Sequence, residues 1–168
     1  MTLRLSSLDA IEAAVWIELS RAARDKLRAD ARTVVLREVH EGAKSLVFFT
    51  DARSHKVDQL KARPAGTVVM WSPALCWQLR CTVQLQAIDD GTEVATLWER
   101  IAKSAAAQDY LSAQPPGAVL DDGGPASHID THFAIVTATV TSIDWLEINP
   151  QGHRRARFEA GRRDWLQP

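Results

Sequence analysis

Cysteine is scarce: the 168 residues include two, Cys76 and Cys81, which excludes the disulfide framework of a small secreted domain. They stand five apart in a segment that reads as strand, where a period of two sends them to opposite faces and keeps them from pairing. Small, half-buried side chains are the expected role for both. Long apolar runs are missing as well. No stretch reaches the roughly 18 residues of a membrane-spanning helix, and the N-terminal MTLRLSSLDAIEAAVW carries acids where a secretory signal has an unbroken apolar core. A cytoplasmic protein is expected. Charge of one sign is also lacking. A formal net charge of -1 leaves no overall field to draw nucleic acid or an anionic membrane, so any anion site has to be local.

What is present is ordinary for a globular chain, 46% hydrophobic and 24% charged, and the length suffices to bury a core as one domain over residues 1–168. Residues 7–28 read as a helix, capped by Ser6, Ser7 or Asp9, with Ile11, Ala14, Val15, Leu19, Ala22 and Ala23 forming an apolar stripe. From Ala31 the period changes. ARTVVLREV and SLVFFT are β-rich runs around the hairpin-length loop 40–44. DARSHKVDQLKAR has a capping Ser and Val57 and Leu60 three apart, which predicts a short helix halted by Pro64. Strands follow at 66–71 and 76–88, then a helix over 93–111 in which Val94, Leu97, Ile101 and Ala105 share a face. The Pro-, Gly- and Asp-rich stretch 113–128 reads as an exposed loop. Strands at 132–143, extending toward 148, and at 154–159 and 163–166 complete a mainly β, α+β chain of six or seven mostly antiparallel strands, which suits a closed or half-closed barrel.

The chemistry concentrates at the first hairpin. Its pairing brings Arg32, at the start of one strand, toward Thr50, Arg53, Ser54, His55 and Lys56, after the end of the other. A guanidinium, a lysine, hydroxyls and the N–H groups of a helix start are the parts of a phosphate cradle. The same residues also suit a solvated charged turn, and the spacing alone does not choose between the two.

The ordered combination RTVVLR, FFT, RSHK, WQLR, RARF and WLQP resembles the pyridoxamine 5'-phosphate oxidase-like FMN-binding split-barrel family, over roughly residues 31–168. The resemblance implies an antiparallel six-stranded split β-barrel with flanking helices, and a homodimer with FMN at its interface. Arg32, Thr33, Val34, Val35, Leu36 and Arg37 match the first FMN strand, and Phe49 and Thr50 match a tyrosine-threonine pair. Lys56 matches the phosphate-binding lysine, with Ser54 beside it and His55 where an arginine is usual. Gln78 matches a glutamine near the isoalloxazine ring and Arg157 a C-terminal arginine that reaches the cofactor.

The departures bear on the substrate. After the tyrosine matched by Tyr110, the arginine and serine that hold the vitamin's phosphate are replaced by Gln114 and Ala118. The C-terminal substrate element reads His153-Arg154-Arg155-Ala156-Arg157, and the flavin-contacting tryptophan falls at Leu146, beside Trp145. The barrel's usual first strand has no room before Ala31, so an open edge is expected. The pattern implies an FMN-dependent oxidoreductase acting on something other than pyridoxamine phosphate. The alternative is a flavin-free split-barrel module for binding or dimerisation. A metal group at His128, Asp130 and His132, alternating at strand spacing, is a weaker reading with no fourth ligand evident. The tryptophans at 16, 71, 77, 98, 145 and 165 are expected in the core and dimer interface. Arg154, Arg155, Arg157, Arg162 and Arg163 are read as a solvated edge or cofactor contacts rather than a nucleic-acid surface.

Overall fold

The computed structural model describes residues 31–104, 107, 110–119 and 131–168. The expected helix over 7–28, the expected absence of a strand before Ala31, and His128 and Asp130 lie outside the described residues. The chain divides into two units, Met1–Thr33 and Val34–Pro168. All the strands and helices among the described residues belong to the second.

Seven antiparallel strands form one sheet: β1 (Leu36–His40), β2 (Ser45–Asp51), β3 (Ala65–Ser72), β4 (Trp77–Ile88), β5 (Phe133–Glu147), β6 (Arg154–Glu159) and β7 (Arg162–Leu166). Two helices interrupt them, α1 (His55–Ala62) after β2 and α2 (Gly91–Ile101) after β4. The strand order is β1-β2-β5-β4-β3, and β6 joins at β5 and carries β7. The sheet is thus a split-barrel-like α+β fold with seven strands rather than six, and it is not closed.

The split lies along β5. This 15-residue strand pairs with β4 over nearly its whole length. Its other edge is shared. Ser45 to Asp51 of β2 take the first half, and Arg154 to Glu159 of β6 take the second. Thr141 is the extra residue where the β4–β5 register shifts between Thr82 and Val83, and such a bulge bends a long strand and lets its edge change partner.

Each helix covers one side. Leu46, Phe48, Cys81, Val83, Val136 and Ala138 form a buried cluster on one face, with Leu60 of α1 packed against it. Val47, Phe133 and Ile135 form a second cluster on the opposite face, under Val94, Leu97 and Trp98 of α2 and beside Tyr110. Alternation along β2 therefore buries both sets of side chains, with Phe49 alone in the strand only partly buried.

Three local expectations shift. The first strand begins at Leu36, not Ala31; a bulge between Leu36 and Glu38 turns the chain out of the ladder. The second helix stops at Ile101 rather than 111, because the Ser104 backbone N–H and hydroxyl both donate to the Ile101 carbonyl at 2.7 Å, closing the last turn. Cys76 lies in the turn before β4 with φ 51°, while Cys81 is buried, and both are free thiols. Burial pushes the Cys81 thiol above its ordinary pKa. Among the described residues no helix is long and apolar enough to cross a membrane, and no group of three metal-ligating side chains occurs.

Candidate functional site

The end of β2 and the start of α1 assemble the expected cradle. Thr50 is buried on the Val83 face, and Lys56, in the first turn of α1, turns back so that its Nζ donates to Thr50 Oγ1 at 2.5 Å. Ser54 occupies the N-cap position in extended conformation but makes no side-chain capping bond. The Val57 N–H donates instead to the Ser54 carbonyl at 2.8 Å, and this first turn carries the positive end of the helix dipole. A lysine, a hydroxyl and a helix start whose N-cap side chain makes no capping bond are the donor types that an anion site needs. His55, the first residue of α1, is exposed beside it.

Arg37 is set by the β1 bulge. Its guanidinium lies over the Phe49 ring, 5.7 Å from the centroid, and Nη2 donates to the Tyr110 hydroxyl at 3.3 Å. Phe49 stacks edge-on against Phe133 at 5.1 Å. Leu36 is partly exposed, and Val34 and Val35, before the strand, are exposed too. Arg32 and Thr33 belong to the other unit.

Gln78 and Arg157 are elsewhere. Gln78 pairs with Leu146, whereas Thr50 pairs with Ala134. These two β5 positions are twelve residues apart, roughly 40 Å along a strand. Arg157, opposite Asp144, points to the same face as Gln78 and lines a cleft of about 280 Å³ with Glu159, Ala160, Arg162 and Asp164. The neighbouring arginines are committed to structural ion pairs. Arg155 holds Asp144 through Nε at 3.0 Å and Nη2 at 2.7 Å, and Arg80 adds a third bond at 2.8 Å. Hydrogen bonding from Arg155 first, then from Arg80, holds the Asp144 carboxyl below its usual range against the opposing effect of burial. Arg154 Nε donates to Glu147 at 2.6 Å. Arg157 comes no nearer than 3.9 Å to Glu159.

Register also separates Leu146 from its neighbour Trp145. Leu146 lies opposite Gln78 and shares its face. Trp145 lies opposite Leu79 and Ala156, on the other face, where it stacks edge-on with Trp77 at 5.4 Å and Trp165 at 6.4 Å. Trp145 therefore faces away from Gln78. Of the remaining tryptophans, Trp98 packs in the α2 cluster, while Trp71 and Trp165 are largely exposed.

Sequence reasoning put Arg53 among the anion ligands, but its guanidinium is engaged otherwise. It donates to Asp51 through Nη2 at 2.7 Å and Nε at 3.1 Å. The signal was the Asp-x-Arg spacing across a strand-to-helix turn, where an Asp side chain also accepts the N–H two residues on, here at 2.8 Å. Burial drives the Asp51 pKa upward, but the bonds from Arg53 and the attraction of Arg53 and His132 outweigh it, so the carboxyl sits below 3.8. With the folded value below the unfolded one, ionised Asp51 stabilises fully above about pH 4, and that contribution is lost as pH falls through the folded value. Asp51→Asn is expected to lower the urea midpoint at pH 7 and to differ less from wild type at pH 3; an equal difference at both would contradict this.

A family model described as pyridoxamine 5'-phosphate oxidase, FMN-binding domain, matches residues 4–89, just over half of the chain. The chain belongs to that family. FMN is the cofactor that goes with the family's domain, and the Lys56–Thr50 pair beside the N-terminus of α1 has the donor chemistry its phosphate requires. Two solved structures share the fold. One is a pyridoxamine 5'-phosphate oxidase-related, FMN-binding protein from Nostoc punctiforme, 19% identical with a TM-score of 0.69, covering 93% of this chain and 96% of its own. The other is PhzG from Burkholderia lata, in complex with tetrahydrophenazine-1-carboxylic acid, 16% identical with a TM-score of 0.67, covering 97% and 94%. No curated protein matches the chain.

Proposed function

We propose that this protein is an FMN-dependent oxidoreductase that works as a cytoplasmic homodimer, on a substrate other than pyridoxamine phosphate. The observation that carries the reading is the cradle: Lys56 Nζ bonded to Thr50 Oγ1 beside a helix start whose N-cap residue, Ser54, makes no side-chain capping bond. Lys56, Thr50, Ser54 and His55 hold the phosphate, and Arg37 over Phe49 borders the site. Bound FMN supplies hydride or electron transfer, and the protein supplies position and electrostatics.

Distance supports the dimer. Gln78 and Arg157 lie roughly 40 Å along the sheet from Thr50, farther than one FMN extends. The two groups serve one cofactor when Gln78 and Arg157 come from the partner copy. Val69 and Trp71, 60% and 54% exposed, share the face of Gln78 and offer the apolar surface such a partner would cover.

Mixing variants tests both points. Lys56→Ala and Arg157→Ala proteins are each expected to quench FMN fluorescence poorly. After unfolding and refolding together, hybrid dimers regain one intact site, and about half of the hybrids' sites bind normally. No recovery in the mixture would reject the shared site, and a wild-type protein that leaves FMN fluorescence unquenched would favour the flavin-free module. Gln114 and Ala118 predict that pyridoxamine phosphate is not oxidised by the FMN-loaded protein.

A further inference from the structure

The turn between β2 and α1 does more than present Lys56. Arg53 grips Asp51, whose side chain is only 3% exposed, and the same guanidinium reaches across to a segment about sixty residues later in the chain. Nη2 donates to the Ser112 carbonyl at 2.7 Å, Nη1 to that of Ala113 at 3.2 Å, and Nη2 makes a longer contact with that of Gln114 at 3.4 Å. Two residues before Ser112, Tyr110 is buried. It packs edge-on to Phe133 at 5.3 Å and accepts the bond from Arg37. Segment 110–114 is therefore pinned at both ends to groups on β1, β2 and β5, and one of its pins is shared with the turn that carries Ser54, His55 and Lys56.

We propose that Arg53 is a positioning residue that latches segment 112–114 to the phosphate turn, so that FMN occupancy and the order of that segment are coupled. The inference rests on the assignment of the FMN phosphate to this turn. Two effects of one side chain are separable. The charge of Arg53 neutralises Asp51, four residues before the first residue of the helix, so the phosphate meets no buried carboxylate repulsion. Its planar fork, which lysine lacks, is what spans Asp51 and the carbonyls together. A phosphate that fixes the turn thereby fixes Asp51 and Arg53, and through them the segment. By reciprocity, a loosened segment weakens FMN.

Hydrogen exchange over residues 111–119 in the full chain, with and without FMN, and FMN titration test this on wild type, Arg53→Lys and Arg53→Gln. In wild type, FMN is expected to slow exchange in the segment by about fivefold or more. Arg53→Lys keeps the charge and loses the fork. Its segment exchanges faster and no longer responds to FMN, while its FMN affinity falls by no more than the factor by which FMN slows exchange in wild type, as reciprocity requires. Arg53→Gln loses both effects, and its affinity falls by roughly 5- to 20-fold. Unchanged exchange in β4 and β5 shows that a variant is folded; if Arg53→Gln is not, the double variant Asp51→Asn, Arg53→Gln, which leaves no buried charge, takes its place. FMN binding with the same FMN-dependent slowing in wild type and Arg53→Lys overturns the latch and leaves the cofactor site standing. A wild type that does not bind FMN overturns the cofactor assignment and the latch with it.

Discussion

Lys56→Ala is expected to raise the FMN dissociation constant by about 10- to 100-fold, the range that follows from losing one charge-assisted hydrogen bond of roughly 1.5–3 kcal/mol. The lysine is held for that contact before any ligand arrives. Its Nζ is anchored on Thr50 Oγ1 at 2.5 Å, and Thr50 is 4% exposed, so little side-chain entropy remains to be lost on binding. Lys56→Arg should recover only part of the affinity, because a planar fork does not reproduce a point donor beside a buried hydroxyl. Fluorescence quenching of FMN at fixed ionic strength measures the change. A Lys56→Ala affinity within about twofold of wild type would remove Lys56 from the phosphate site.

The second large effect is on stability. Phe133 is 3% exposed and joins three rings: Phe49 at 5.1 Å, Tyr110 at 5.3 Å and Trp98 at 5.5 Å. Its removal opens a cavity under α2 and unseats Tyr110, so Phe133→Ala should cost about 3–5 kcal/mol. That is a large share of the roughly 5–15 kcal/mol by which a domain is stable. Urea denaturation should show a lower midpoint at similar slope. A cost under about 1 kcal/mol would mean that α2 and the Tyr110 segment close the space.

Much of the architecture was legible from period and punctuation. The hairpin loop after His40, the helix stopped before Pro64, the β3–β4 hairpin and the C-terminal pair of strands all stand within a residue or so of expectation, because each is set by neighbours in sequence. The elements that moved are those that distant contacts decide. Residues 31–35 carry a good strand pattern, yet the bulge at Arg37 takes them out of the ladder. The run Val94, Leu97, Ile101, Ala105 has helical spacing throughout, but Ser104 closes the helix at Ile101. Neither a bulge nor a C-terminal side-chain bond leaves a period in the sequence.

The cradle shows the same division. Sequence alone determined which residue types meet at the Thr50–Lys56 turn and the family to which they point, since a strand end, a capping position and a lysine in the first helical turn lie within seven residues. Only the tertiary structure decided their partners. It gave Arg53 to Asp51 and the carbonyls of 112–114, Arg154 and Arg155 to Glu147 and Asp144, and put Leu146 rather than Trp145 on the face of Gln78. It also set Gln78 and Arg157 at the far end of β5 from Thr50. The physical reason is that local chemistry is carried by spacing along the chain, whereas face and partner depend on register, and a single bulge residue at Thr141 shifts every side chain beyond it.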